Sequence, residues 1–151
     1  MRGRSAGFIQ FSTVLLILGL AVGGYFAYVI APAYIDNYTL KQDLTGIANQ
    51  AWRRVGRDEL RKQVVDKAAT IGSHVEIPEG GLPIVVRGLP VGDDEVTVTC
   101  TDAAGDCSGD EGEVFIAISY TRIMLLPYLK GKFVTLHFSP TAKETLKPVE
   151  W

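Results

Sequence analysis

The sequence predicts an α+β protein in which an N-terminal transmembrane helix continues into an amphipathic helical segment packed on a small antiparallel sheet of three or four strands. Three observations support this fold class: a long uncharged segment near the N-terminus, apolar residues at helical spacing up to Ile71, and alternation of apolar and polar residues from Glu95 onward. The chain of 151 residues has the length of about one domain. We divide it into a short basic leader (1–7), a transmembrane helix (8–31), a helical segment (32–75) and a sheet domain (76–151).

The N-terminal segment has the length and composition of a membrane anchor. The 31 residues from Ser5 to Ile35 carry no charge, whereas about twenty helical residues suffice to cross the ~30 Å hydrocarbon core of a bilayer. Arg2 and Arg4 precede this segment, and no basic residue follows before Lys41. The positive-inside rule therefore places the N-terminus in the cytoplasm and the C-terminal domain outside it.

Small residues recur every four positions along the predicted transmembrane helix, at Gly19, Gly23, Ala27 and Ala31. Such a stripe lets two helix backbones approach closely in a membrane. It predicts association with a second copy of the chain or with another membrane protein. The alternative is that glycine and alanine are simply frequent in membrane helices.

The segment after the anchor is predicted to form two amphipathic helices. Apolar residues from Leu40 to Val55 lie on one helix face, Gly56 interrupts the pattern, and a second apolar stripe runs from Leu60 to Ile71. Basic residues cluster where the two helices meet: Arg53, Arg54, Arg57, Arg61 and Lys62. They form either a solvated helix face or a contact for anionic lipid headgroups or an acidic partner.

The remainder of the chain carries strand patterns. We expect strands at 83–87, 95–101, 113–126 and 132–138, with the first at a sheet edge because it begins with a proline. The second and third strands are predicted to form one hairpin, and the third and fourth another. One face of this sheet is expected to be covered by the helices.

The loop of the first hairpin contains two further candidate features. Cys100 and Cys107 flank it, and a location outside the cytoplasm predicts that they form a disulfide. Asp102, Asp106 and Asp110 lie in the same acidic stretch and could supply oxygen ligands to calcium. Their spacing does not match the common calcium-binding loop, so a solvated acidic loop is the alternative.

No catalytic constellation is recognisable in the sequence. The two histidines, His74 and His137, are far from any nucleophile motif or metal-ligand spacing, and we interpret both as structural or surface residues. The net charge of −2 argues against nucleic-acid binding. We therefore predict a protein without enzymatic activity, cofactor or metal.

The N-terminus resembles that of a type IV pilin precursor. Such precursors carry a short basic leader and a glycine before the phenylalanine that begins the mature helix, which corresponds to Gly7 and Phe8 in this chain. The resemblance implies cleavage between these two residues. The chain departs from the pilin pattern at Ser12, where pilins have a glutamate that pairs with a neighbouring subunit.

The chain as a whole resembles a family of bacterial single-pass membrane proteins known as domain of unknown function 4845. The matching segments are residues 4–7, residues 31–38, Ile118 to Arg122, and Leu125 through Pro127 to the block 134–138. The resemblance implies a pilin-like layout in the bacterial inner membrane, with the C-terminal domain in the periplasm or outside, and no known activity. The acidic hairpin with its two cysteines is not expected of that family.

These features favour a membrane-anchored structural or interaction protein. Its partners would be the lipid bilayer and, through the transmembrane helix, a second copy or another membrane protein. A processed pilin-like filament subunit is the first alternative. An extracytoplasmic domain that binds an ion or ligand is the second.

Overall fold

The structure is a computed structural model that describes residues 6–53, 55–103, 105–107, 111–129 and 131–146, without the side chains of residues 6–10 and 52. Its first element is a single helix, α1 (Ala6–Ala48), of 43 residues and about 65 Å in length. Pro32 lies inside this helix without ending it. The predicted transmembrane helix and the first amphipathic helix are therefore one continuous rod.

A sharp reversal follows α1. A short 3-10 turn at Ala51–Arg53 leads to α2 (Arg57–Ala68), which begins after Gly56 as the sequence predicts. Asp58 and Glu59 lie in its first turn, where negative charge is favourable next to the helix N-terminus.

The described strands form three antiparallel sheets. They are β1 (Ser73–Glu76), β2 (Ile84–Arg87), β3 (Val96–Cys100), β4 (Glu113–Ile118), β5 (Tyr120–Leu125), β6 (Phe133–Phe138) and β7 (Thr141–Thr145). β1 pairs with β2, β5 pairs with β6, and the third sheet has the order β3-β4-β7. The α+β fold class and both predicted hairpins are confirmed.

The sheets differ from the predicted arrangement in three places. The strand expected over 113–126 is divided at Ser119, because the chain before it pairs with β3 and β7 whereas the chain after it pairs with β6. β4 and β5 therefore join different sheets. β1 lies in the segment 32–75 that the sequence assigned to helix, and β7 forms in a segment for which the sequence predicted no strand.

The core lies where the C-terminal half of α1 meets α2 and the three-stranded sheet. Its buried apolar side chains include Leu40, Leu44, Leu60, Val64, Val98, Ile116, Ile118 and Leu146. The residues from α1 and α2 follow the helical stripes expected from the sequence, and those from β3 and β4 alternate. The last third of α1 is thus an integral part of the domain core.

Candidate functional site at the membrane junction

The N-terminal part of α1 projects from the domain. Its side chains from Phe11 to Ala21 are exposed, among them Leu16, Leu18 and Leu20, and the first buried one is Val29. Within the described residues, α1 is the one helix long and apolar enough to cross a membrane. The exposed apolar half and the buried half of this helix meet at about Val29, which places the domain at one end of the predicted span.

The small-residue stripe is open in the structure. Gly19, Gly23, Ala27 and Ala31 are all exposed, and a Cβ atom added at Gly19 or Gly23 would meet no heavy atom within 4 Å. The domain therefore does not cover this stripe, so its residues are accessible to a second helix in the membrane. The association itself stays a prediction.

Strand β5 and the loop after it run along α1 towards its N-terminus. Tyr120 donates its hydroxyl to Oδ1 of Asn37 at 3.3 Å, and Nη1 of Arg122 lies 2.7 Å from Oδ2 of Asp36. Seven residues after Tyr120, the carbonyl of Pro127 accepts a hydrogen bond from the hydroxyl of Tyr25. Residues later in β5 and its loop thus contact residues earlier in α1. The β5–β6 hairpin therefore extends along α1 towards the N-terminus of that helix.

The ion pair between Asp36 and Arg122 holds the sheet against the helix at this junction. The Arg122 side chain is 4% exposed and that of Asp36 is 21% exposed. Arg122 also donates from Nη2 to the Ser73 carbonyl at 2.5 Å, so it joins α1, β1 and β5. Asp36 is the first charged residue after the uncharged segment, and Arg122 neutralises its carboxylate at the end of the predicted span.

Glycine at position 72 makes room for this ion pair. Gly72 has a φ of +61°, and a Cβ atom there would overlap the carboxylate of Asp36. Both the left-handed backbone and the close approach therefore favour glycine. Gly72 lies four residues after the end of α2 at Ala68 and immediately precedes β1.

Three aromatic rings close the junction next to the ion pair. Phe138 contacts Tyr34 edge-to-face and stacks with Tyr120, with centroid distances of 5.4 Å in both pairs. Tyr120 is 4% exposed. Burial raises the pKa of its hydroxyl to about 12, although the nearby Arg122 cation acts in the opposite direction.

The raised pKa of Tyr120 predicts a loss of stability at alkaline pH. An unfolded tyrosine ionises near its usual pKa of 10.0, while the folded one keeps its proton to about pH 12. The folded state therefore retains its full advantage below pH 10, and loses it as the pH rises from about 10 to about 12, by on the order of 2 kcal/mol. Denaturant unfolding of the wild type and of Tyr120→Phe across this range measures the difference. If the two proteins lose stability in parallel, Tyr120 is not the group responsible.

The loop between β3 and β4 contains the predicted disulfide. Cys100 and Cys107 are bonded, with Cα atoms 5.3 Å apart. Oδ1 of Asp102 accepts the N–H of Cys107 at 3.2 Å, and the carbonyl of Asp106 accepts the N–H of Arg57 at 2.8 Å. These bonds tie the loop to itself and to the start of α2.

The candidate calcium ligands fall only partly within the described chain. Asp102 is buried and Asp106 exposed, while Asp110 lies outside the described residues. In the part of the chain that the structure describes, no three His, Cys, Asp or Glu side chains are grouped as a metal site would require. Binding of an ion by this loop stays a prediction.

The two histidines occupy positions in the sheets. The ring of the buried His74 lies between the Gly88 carbonyl, 2.7 Å from Nδ1, and the Glu76 carboxylate, 3.0 Å from Nε2. His137 contacts the hydroxyl of Thr121 across the β5–β6 pair at 2.8 Å. Both sets of contacts fit the structural interpretation made from the sequence.

The basic cluster, apart from Arg54, which is outside the described residues, lies in the 3-10 turn and the first half of α2. It begins after Ala48, which is 17 residues beyond Ala31 and therefore about 26 Å further along the helix axis. Arg61 lies 3.9 Å from Asp58. Contact of this cluster with anionic headgroups or an acidic partner stays a prediction, as does the solvated helix face.

Sequence reasoning did not identify the Asp36–Arg122 pair as a site. A signal was present: Arg122 follows four positions after Ile118 in a run of alternating apolar residues, where a charge is unusual. Its partner could not be inferred, because Asp36 lies 86 positions away along the chain.

Comparisons with known proteins find no family model that matches the chain and no curated protein or solved structure with significant similarity. The resemblance to the family of domain of unknown function 4845 and the pilin-like N-terminus therefore stay predictions.

Proposed function

We propose that this protein is a single-pass membrane protein with a structural or interaction role and no catalytic activity. Its small α+β domain would be held outside the cytoplasm, at the surface of the bacterial inner membrane. One observation carries the proposal: the helix that is apolar and, apart from the half-buried Tyr25, exposed from Phe11 to Tyr28 is the same helix that supplies Leu40 and Leu44 to the domain core.

This continuity has a mechanical consequence. A flexible linker would let the domain move freely above the membrane, whereas a continuous helix fixes its height and tilt. The Asp36–Arg122 pair adds a second attachment between the sheet and the helix. A domain held in this way can present its surface at a defined distance from the bilayer, which suits a scaffold or a partner-binding module.

Association within the membrane is the first proposed interaction. Gly19, Gly23, Ala27 and Ala31 would form the contact face, since small side chains let helix backbones pack closely. The partner would be a second copy of the chain or another membrane protein.

Gly23→Ile is expected to weaken this association, because a large branched side chain separates the two backbones. Gly24→Ile is the matched control: it adds the same side chain one position on, about 100° around the helix, and its site is equally open. Crosslinking in native membranes, or a membrane two-hybrid assay, measures the effect. Equal association of both variants with the wild type would argue against the stripe.

The second candidate is a processed filament subunit. The layout of a helix with a projecting apolar half and a half packed on a sheet is pilin-like. Gly7 and Phe8, the candidate processing site, lie in the first turns of α1, and their side chains are outside the described part.

The intact mass of the protein from native membranes distinguishes the two candidates. A chain that begins at Met1 is a permanent anchor, and one that begins at Phe8 is a processed subunit. Alkylation before and after reduction reports the compartment from the same sample. We expect two alkylated cysteines only after reduction, because Cys100 and Cys107 are bonded and disulfides persist outside the cytoplasm. Alkylation without reduction would contradict the proposed orientation.

A further inference from the structure

The hairpin that joins β5 to β6 ends in exposed apolar side chains. We call residues 125–129 and 131–133 the hairpin tip. Tyr128 is 96% exposed, Leu129 47% and Phe133 52%, and Lys132 is exposed beside them. A tip of this composition is unfavourable in water but typical of a membrane interface, where aromatic rings and lysines flank apolar side chains.

The backbone of the tip is paired within the tip itself. The N–H of Leu126 bonds to the Lys132 carbonyl at 3.1 Å, the N–H of Leu129 to the Leu126 carbonyl at 3.2 Å, and the N–H of Lys132 to the Leu129 carbonyl at 3.0 Å. Backbone groups that enter a lipid environment must be satisfied internally, since no water is present there. These three bonds satisfy the N–H and carbonyl groups of Leu126, Leu129 and Lys132.

The position of the tip along α1 is given by the contact between Tyr25 and the Pro127 carbonyl. Tyr25 precedes Asp36 by eleven residues, which is about 16 Å along the helix axis. Measured along the axis of α1, the tip therefore lies about 16 Å closer to the N-terminus of the helix than the Asp36–Arg122 ion pair. It lies alongside the uncharged part of α1.

The span of the bilayer along α1 follows from the uncharged segment Ser5–Ile35. About twenty residues cross the hydrocarbon core. A core that begins at Phe8 ends near Ala27, and a core centred on the uncharged segment ends near Ile30. In both placements Tyr25 lies within about 8 Å of the core boundary on the domain's side. Tilting of the helix lengthens the span and places Tyr25 deeper.

We infer that the hairpin tip inserts into the lipid leaflet on the domain's side and forms a second membrane contact next to α1. This inference rests on the proposed anchoring of α1. Leu129 and Phe133 would contact acyl chains, the Tyr128 hydroxyl would reach the headgroup layer, and the Lys132 ammonium would lie near lipid phosphates.

An apolar groove between the anchor and the hairpin is continuous with this contact. It is lined by Tyr28, Val29 and Ile35 of α1 and by Met124, Leu125 and Pro127 of the hairpin. The groove lies beside the part of α1 between Tyr25 and Asp36, and the boundary of the hydrocarbon core inferred above falls in this part of the helix. Lipid is therefore its natural occupant, in preference to a protein partner from the aqueous side.

Depth-dependent fluorescence quenching tests the insertion in the full-length protein. A cysteine is introduced at Tyr128 or Leu129, labelled with an environment-sensitive fluorophore, and the protein is reconstituted into phosphatidylcholine–phosphatidylglycerol vesicles with and without bromine on the acyl chains. Leu18→Cys in the anchor is the positive control. Asp58→Cys, at the far end of the domain with a 90% exposed side chain, is the negative control. The wild type, treated with the same fluorophore, is expected to remain unlabelled because Cys100 and Cys107 are bonded to each other.

We expect brominated acyl chains to quench both tip labels, less strongly than the Leu18 label near the bilayer centre, and to leave the Asp58 label unchanged. Quenching at Leu18 without quenching at either tip position would overturn the insertion while the proposed anchoring stands. Blue-shifted tip emission without quenching would also overturn it, because a protein surface would then cover the tip. Absence of quenching at Leu18 and at the tip would contradict both proposals.

Discussion

Replacement of Arg122 by methionine is expected to lower the free energy of unfolding of the domain by about 3 kcal/mol, the lower end of the range for removing one partner of a buried ion pair. The substitution keeps much of the side-chain volume but leaves the Asp36 carboxylate, whose side chain is only 21% exposed, without its cation. It also removes the donor to the Ser73 carbonyl. Denaturant unfolding of the full chain in detergent micelles, followed by circular dichroism, measures the loss.

Lys143→Met is the matched control for this experiment. Lys143 lies 2.9 Å from Glu113, but the two side chains are 60% and 46% exposed. Exposed pairs contribute up to about 1 kcal/mol, so this variant is expected to be nearly as stable as the wild type. In the double variant Asp36→Asn with Arg122→Met, part of the lost stability should return because no charge remains unpaired. Equal destabilisation by Arg122→Met and Lys143→Met would show that the junction pair does not hold the sheet to the helix.

Leu44→Ala is expected to lower the free energy of unfolding of the domain by about 2–5 kcal/mol. Leu44 is fully buried in the core, so the truncation removes apolar contacts and leaves a cavity between α1, α2 and the sheet. Thermal or denaturant unfolding of the full-length protein, monitored through the sheet signal in circular dichroism, gives the magnitude.

The same substitution in the projecting half of α1 serves as its control. Leu16 is 64% exposed and lies in the predicted span, so Leu16→Ala removes no contact with the domain. Its domain stability is expected to equal that of the wild type. If Leu44→Ala is also neutral, the C-terminal half of α1 is not part of the folding unit. That result would contradict the proposed rigid connection between the anchor and the domain.

The two predictions together test how the domain is held above the membrane. Leu44 reports the packing of α1 into the core, and Arg122 reports the second attachment through β5. A domain that keeps both attachments moves with its anchor. Association of the anchors through the stripe at Gly19 and Gly23 would then bring the attached domains together in a defined orientation.

Local chemistry allowed several features to be predicted from the sequence. The absence of charge from Ser5 to Ile35 is a property of consecutive residues, and the desolvation cost of a charge in lipid makes it informative. The stripe from Leu40 and the alternation in β3 and β4 reflect the geometric periods of helix and strand, which act over a few residues. The pairing of Cys100 with Cys107 joins residues only seven positions apart.

The remaining features depend on contacts between distant parts of the chain. The continuous strand pattern is divided at Ser119 because β5 pairs with β6 and leaves the sheet of β4, and β7 becomes a strand because β4 offers it an unpaired edge. Asp36 meets Arg122 across 86 positions, and Tyr25 meets Pro127 across 102. The sequence by itself therefore determined the apolar segment, the helical stripes, the two hairpins and the disulfide. Only the tertiary structure decided the junction between α1 and β5 and the position of the hairpin tip along α1, because partner choice over long separations depends on the packing of the whole chain and leaves no periodic pattern in the residues.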